Sequence, residues 1–160
     1  MQTLHPQTRK NLLRAMRREA FAFAMYLLYA TQARKHGRPE AAELFETVAR
    51  EEHFGHFAEQ TLDVGLLGME AENLHLAIEQ ETFEADVMYR DFEAQTGPDG
   101  DQEAAERFRR LREDERRNRD QFLAVLQAMD PADCHRRPEY PLGRCRLSWA
   151  DQAPSCSAGR

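Results

Sequence analysis

Five glutamates stand on helical stripes that are otherwise apolar. Glu19, for example, is spaced three or four residues from Met16 and Phe23, so the three side chains share one helical face. A mainly apolar face is the one that a helix buries against its neighbours. The pattern therefore predicts carboxylates inside a helical core, each near the middle of its helix, at Glu19, Glu52, Glu81, Glu84 and Glu115.

Buried carboxylates need compensation, because isolated charge is disfavoured in an apolar interior and neighbouring carboxylates repel each other. They must be protonated, paired with buried cations or bound to metal. The stripes contain no Lys or Arg between Leu12 and Phe122, so an internal salt-bridge network has no evident partner for the glutamates. Oxygen-rich coordination favours iron or manganese over zinc. We expect two iron ions, and manganese or a mixed pair is the alternative metal content.

The alternative interpretation is that some of these glutamates face solvent, as charged residues of amphipathic helices usually do. All five glutamates, however, lie near the middle of their helices, so neighbouring helices would bring them to the same level of the bundle. This agreement favours the metal site over solvent exposure.

Four long helices must position these side chains, and the breaks between them come at Gly and Pro, which end or begin helices. Four helices of about 25 residues with short connections are typical of a bundle. We predict one all-α domain, a four-helix bundle, over residues 1–130, and an irregular, flexible tail over residues 131–160. The predicted helices run from Gln7 to about Lys35, from near Pro39 until Gly65, from near Glu70 to Gln95, and from the turn Gly97-Pro98-Asp99-Gly100 to Asp130-Pro131.

Composition excludes several classes of partner. The 160 residues carry a formal net charge of −6, which provides no basic field for nucleic acid or anionic lipid. No apolar run approaches the ~20 residues that span a bilayer, and the first residues lack the apolar core of a secretory signal. We therefore expect a cytoplasmic protein. The chain has three cysteines, Cys134, Cys145 and Cys156. Because their number is odd and they are confined to the last part of the chain, they do not form a disulfide framework for the core.

Segments of all four predicted helices together resemble one known family. They are the segment from Asn73 to Glu84 followed by Met88-Tyr89 in the third helix, Arg18-Glu19, Tyr26, Ala30 and Phe45 leading to Glu52 in the first two, and Glu115 with Phe122-Leu123 in the fourth. These segments resemble the rubrerythrins, and the resemblance covers roughly residues 7–129. It implies a ferritin-like fold with a non-haem di-iron centre that reacts with hydrogen peroxide or dioxygen.

By position, the resemblance places the five glutamates on the family's carboxylate ligands, and Tyr26 and Tyr89 on tyrosines beside the metals. Two departures concern histidine. Ferritin-like di-iron bundles usually present Glu-x-x-His on two helices, whereas this chain reads Glu52-x-x-Gly55 and Glu115-x-x-Asn118.

The histidines near Glu52 are assigned different roles. His56, four residues after Glu52, is a candidate metal ligand that would reach the site through the space that Gly55 leaves, with a structural or surface role as the alternative. His53 points about a quarter turn from Glu52 and is expected to lie outside the site.

The function that the resemblance implies is reduction of hydrogen peroxide. The chain lacks the two Cys-x-x-Cys knuckles of a rubredoxin-like iron site, so an external donor must supply the electrons. Three alternatives stay open: a ferroxidase or iron-handling protein, a non-catalytic metal-binding or scaffold bundle that has lost its ligand histidines, and a different di-metal oxygenase.

The connection between the second and third helices predicts the oligomeric state. A helix of about 25 residues is roughly 37 Å long, whereas the link between Asp63 and Met69 spans at most ~25 Å. Either the bundle is simple up-down-up-down, or the first two helices of one chain pair with the last two of another. The second arrangement resembles that of short-linker rubrerythrin relatives, and we predict a domain-swapped homodimer on that basis.

Overall fold

A computed structural model describes residues 4–129 of the chain, and the regular structure in that range is helical. The chain divides into two units, residues 1–67 (unit 1) and 68–160 (unit 2). The predicted tail over residues 131–160 lies outside the described residues. Unit 1 contains α1 (Pro6–Lys35), α2 (Pro39–Glu51), a first π-helical turn (Glu52–Phe57) and α3 (Ala58–Asp63), and unit 2 contains α4 (Glu70–Phe83), a second π-helical turn (Glu84–Met88), α5 (Tyr89–Asp99) and α6 (Gln102–Ala128).

Unit 1 is a helical hairpin. Gly37 adopts φ 67° after α1, and the N–H groups of Gly37 and Arg38 bond the carbonyls of Arg34 and Ala33, which closes the helix end as predicted. The rod formed by α2, the first π-helical turn and α3 then runs back along α1. Just after α3, the Val64 carbonyl accepts a hydrogen bond of 2.7 Å from Arg9 Nη1 near the start of α1. This bond holds the two rods together at the end of the hairpin opposite the turn.

Unit 2 begins with a side-chain cap and folds into a second helical hairpin. Glu72 Oε2 accepts the Met69 N–H over 2.8 Å, which satisfies a backbone donor at the start of α4. The rod of α4, the second π-helical turn and α5 packs against α6. Ion pairs join the two sides, because Arg116 and Arg119 both approach Asp86, at 3.6 and 3.5 Å.

The predicted break at residues 97–100 is partly wrong. We expected the third helix to end at Gln95, but α5 continues to Asp99 with Pro98 inside its last turn. Proline deprives the Ala94 carbonyl of its helical donor, and because Ala94 is exposed, water can replace that donor. Gly100, at φ 80°, ends the helix instead.

The buried core of the described residues is small. It comprises eight apolar side chains, and no polar or charged residue between positions 4 and 129 is fully buried. Most residues of the stripes predicted to be buried are half-buried instead, and so are all five glutamates. Within each unit a stripe packs against a single neighbouring rod, which leaves side chains at its edges partly exposed. The eight residues are Met16, Ala30, Ala42, Ala49, Val64, Ala71, Ala85 and Leu126.

Candidate metal centre

Unit 1 brings three candidate ligands together. Glu19 on α1 faces Glu52 and His56 on the first π-helical turn, and one ligand atom from each residue lies within 4.8 Å of the other two. His56 Nδ1 is 2.9 Å from Glu52 Oε2. We call these residues the unit-1 cluster. Two carboxylates and one imidazole, supplied by two antiparallel helical rods, make a mixed oxygen and nitrogen donor set.

Hydrogen bonds hold the unit-1 cluster together. Burial and a hydrogen bond to Glu52 raise the pKa of Glu19. The hydrogen bonds from His56 and from Glu19 lower the pKa of Glu52. The same bond to Glu52 raises the pKa of His56. The ionisation of each of the three side chains therefore depends on its neighbours in the cluster.

The position of His56 differs in one respect from the expectation. We expected its side chain to use space left by Gly55, but a Cβ added at Gly55 would meet no heavy atom within 4 Å. The contact between His56 and Glu52 therefore does not depend on a missing side chain at position 55.

His53 packs among aromatic rings. Its imidazole stacks on Phe23, with ring centroids 4.8 Å apart, and it also contacts Phe54 at 4.5 Å and Phe57 at 6.0 Å. These contacts confirm the prediction that His53 lies outside the cluster, because its ring is occupied by packing.

In unit 2 one amide contacts two of the predicted glutamates, and the third lies close enough for its charge to act on one of them. Asn118 Nδ2 donates to Glu115 Oε2 over 3.0 Å and to Glu81 Oε2 over a longer 3.5 Å. Glu84 accepts a hydrogen bond of 3.1 Å from Gln80 Nε2. We call Glu81, Glu84, Glu115 and Asn118 the unit-2 cluster. In the structure Asn118 serves as a hydrogen-bond donor between carboxylates, a role that the sequence reasoning did not foresee.

Two carboxyls of the unit-2 cluster, those of Glu81 and Glu84, have raised pKa values. Burial, a hydrogen bond with Glu115 and the charge of Glu115 raise the pKa of Glu81 to about 7. Burial raises the pKa of Glu84, and the Glu115 charge adds to that effect. The cluster is therefore short of positive charge.

Within the described part of unit 2, residues 68–129, no ion pair joins an arginine to a carboxyl of the unit-2 cluster. In the described ion pairs, Arg112 binds Glu93 at 3.1 Å, and Arg116 and Arg119 bind Asp86. These pairs lie on the flank of α6 rather than within the unit-2 cluster.

The two tyrosines that the resemblance places beside the metals occupy different surroundings. Tyr89 stacks on Phe108, with ring centroids 6.1 Å apart. Burial raises the pKa of Tyr89, and the charges of Glu84, Glu115 and Glu81 add to that effect. The hydroxyl group of Tyr89 therefore lies near the unit-2 cluster. Tyr26 packs on Phe45 at 6.1 Å.

Sequence reasoning missed two features of the site. Gln80 was not singled out, although its i, i+4 spacing to Glu84 is a recognisable signal. The π-helical turns at Glu52 and Glu84 were also missed, and the only sequence signal for the first is the extra residue in Glu52-x-x-x-His56.

The donor sets fit iron. Two carboxylates with an imidazole, and three carboxylates beside an amide, are oxygen-rich donor sets that can hold divalent iron or manganese. In the unit-2 cluster the charge of Glu115 raises the pKa of both Glu81 and Glu84. A cation bound there would offset that repulsion between carboxylates.

The comparison with known families defines the class of protein. The rubrerythrin family model matches residues 10–126, and the chain therefore belongs to the rubrerythrin family. This family assignment confirms the predicted all-α, ferritin-like fold class. The family consists of di-iron proteins whose chemistry is generally related to peroxide.

An individual relative supports the same assignment. A rubrerythrin from Porphyromonas gingivalis is 28% identical over 152 residues, which cover 88% of this chain and 76% of the relative. Within residues 4–129, no helix has the length and apolar character needed to cross a membrane. The cytoplasmic location stays a prediction.

Proposed function

We propose that this protein reduces hydrogen peroxide at a di-iron centre, with electrons from an external donor. The observation that carries the proposal is the unit-1 cluster, in which ligand atoms of Glu19, Glu52 and His56 lie within 4.8 Å of one another in a chain of the rubrerythrin family. Reduction of one hydrogen peroxide takes two electrons and two protons and yields two waters. Two ferrous ions, when bound, supply the two electrons.

The residues of the two clusters would hold the ions. Glu19, Glu52 and His56 would bind one, and three glutamates of unit 2, Glu81, Glu84 and Glu115, would bind the other. Glu19 would have to be deprotonated to bind metal, so its raised pKa would weaken metal binding at low pH. The hydrogen bonds that Asn118 donates would hold the carboxylates of Glu81 and Glu115 in place.

A single-turnover experiment tests this activity. Metal-free protein is loaded anaerobically with two equivalents of Fe(II), then mixed with one equivalent of hydrogen peroxide or with air-saturated buffer. We expect peroxide to oxidise both irons at least tenfold faster than dioxygen, followed by near-ultraviolet absorption of the ferric protein. Failure to bind two irons, or equal inertness to both oxidants, would contradict the proposal.

Iron oxidation by dioxygen is the second candidate, and Asn118 is the observation that favours it. An amide is a weaker ligand than imidazole, so an ion held by the unit-2 cluster would leave more readily, as iron handling requires. A faster reaction with dioxygen, together with release of Fe(III) after the turnover, would support this function in place of peroxide reduction.

We also propose that the protein works as a homodimer in which unit 1 of one chain completes a site with unit 2 of another. Support comes from the link of six residues between Asp63 and Glu70 and from the half-buried stripes of both units. Large apolar side chains such as Leu44 and Phe54, exposed by 64% and 71%, also remain available for further burial. Light scattering at micromolar concentration should give twice the chain mass, and a clean monomer would contradict the dimer.

Complementation distinguishes a shared site from one made within a single chain. One chain carries Glu19→Ala and His56→Ala, and a second carries Glu81→Ala and Glu115→Ala, so that each keeps one intact cluster. If sites are shared between chains, a heterodimer recovers one of its two sites, and a refolded mixture regains up to a quarter of the wild-type sites by random pairing. If each site forms within one chain, the mixture stays as inactive as its components.

A further inference from the structure

Both π-helical turns of the described residues begin at a glutamate of the candidate metal centre. The first starts at Glu52, and the Ala58 N–H after it bonds the carbonyl of His53, five residues earlier. The second starts at Glu84, and the Tyr89 N–H bonds the Glu84 carbonyl, again five residues earlier. π-Helical turns are rare, and they occur frequently at functional sites.

A π-helical turn changes the direction in which a following side chain points. In an α-helix each residue turns ~100°, so residue i+3 lies about 60° to one side of residue i, and residue i+4 about 40° to the other side. In a π-helix each residue turns roughly 80°, so residue i+4 lies about 40° from residue i, on the side that i+3 occupies in an α-helix. The turn therefore moves residue i+4 into the direction of an α-helical i+3 residue.

We propose that the first π-helical turn absorbs one extra residue and so places His56 where a Glu-x-x-His motif would place its histidine. The inference rests on the proposed metal site. His56, at i+4, lies against Glu52 with Nδ1 2.9 Å from Oε2 and within reach of Glu19. Gly55, at i+3, points its Cβ direction into open space. The ligand expected at position 55 is thus replaced by its neighbour rather than lost.

The second π-helical turn has the same effect on Tyr89. Five residues after Glu84, an α-helix would turn this side chain about 140° away, whereas a π-helical turn leaves it roughly 40° away. Tyr89 is half-buried beside the unit-2 cluster, close enough to sense the charges of Glu84, Glu115 and Glu81. Each turn therefore directs the next polar side chain of the candidate site toward its glutamate.

Two variants of the full chain test this register change. Deleting Gly55 leaves Glu52-His53-Phe54-His, an i+3 spacing that an uninterrupted α-helix can use. The double variant Gly55→His with His56→Ala keeps the chain length and puts the imidazole at i+3 of the π-helical turn, toward open space. The probe is Co(II) added to metal-free protein, followed by visible titration and by the downfield-shifted imidazole N–H proton in the ¹H NMR spectrum.

We expect the deletion variant to bind Co(II) within about threefold of the wild type and to keep the shifted N–H proton. The double variant should lose that proton and at least tenfold in affinity for the first ion, as should His56→Ala. His53→Ala is the matched control, and it should keep both signals because His53 packs among aromatic rings.

Two results would overturn the inference: a folded deletion variant without imidazole coordination, or a double variant that binds like the wild type. If the deletion variant fails to fold, the double variant, which keeps the wild-type chain length, tests the inference by itself. Because the readout is metal coordination, absence of peroxide reduction leaves the inference standing, whereas a wild-type chain that binds no metal refutes the proposed function as well.

Discussion

His56 Nδ1 lies 2.9 Å from Glu52 Oε2 across a π-helical turn, and this bond lowers the pKa of Glu52 and raises that of His56. Burial and a hydrogen bond to Glu52 also raise the pKa of Glu19. A metal ion would replace both hydrogen bonds with coordination. The positions of the candidate ligands and their pKa values therefore both depend on one short segment of chain.

Loss of either central glutamate should remove metal. Glu52→Gln and Glu115→Gln each delete a negative charge from a cluster, and we expect each variant to retain less than half of the wild-type iron after loading and desalting. Elemental analysis gives the iron content. Glu43→Gln is the matched control, because Glu43 lies exposed on α2 and its side chain makes no described hydrogen bond or ion pair. Equal iron loss in the control would contradict the assignment.

Adding an imidazole to unit 2 should strengthen the second binding event. Asn118→His introduces a better ligand one turn after Glu115, and we expect roughly tenfold tighter binding of the second ion, equivalent to about 1.4 kcal/mol. Calorimetric titration of metal-free protein with Co(II) or Mn(II) separates the two events. Gln127→His controls for an added imidazole, because Gln127 is exposed on α6 and its side chain makes no described hydrogen bond. An unchanged second event would show that position 118 does not face the ion.

The stability of the metal-free protein should fall as the pH rises from about 5 to about 8. The folded chain raises the pKa of Glu81 from 4.5 to about 7, so folding favours the protonated carboxyl. That contribution is complete below the unfolded pKa and is lost as pH rises through the folded one. The raised pKa of His56 acts in the same direction. Thermal unfolding should show a weaker pH dependence for Glu81→Gln, and an unchanged dependence would contradict the shift.

The turn between α1 and α2 should depend on glycine. Gly37 has φ 67°, and a Cβ there would meet nothing within 4 Å, so Gly37→Ala introduces backbone strain without a clash. We expect a loss of about 1 kcal/mol in the free energy of unfolding. Gly55→Ala, in a helical segment and also without close neighbours, should be neutral or stabilising by up to about 1 kcal/mol. Urea unfolding of both variants measures the contrast.

Local chemistry made the helix bounds and the candidate ligands predictable. Gly37 and Pro39 mark the first turn, and the predicted start near Glu70 agrees with α4. The error at Pro98 arose because a proline near an exposed helix end costs less than one in a buried interior. The sequence also marked His56 as a candidate ligand, but an α-helical wheel could not give the direction of its side chain.

The sequence by itself determined the helical elements, the five glutamates on their stripes and the family, because these depend on residue type and spacing along one chain. The tertiary structure decided the rest: the π-helical hydrogen bonding at Glu52, the bond between His56 and that glutamate, and the donor role of Asn118. The physical reason is that a shift from i→i+4 to i→i+5 bonding is a small backbone change that no residue type specifies. It depends on packing between two rods, and so it becomes visible only when α1 and α2 are folded against each other.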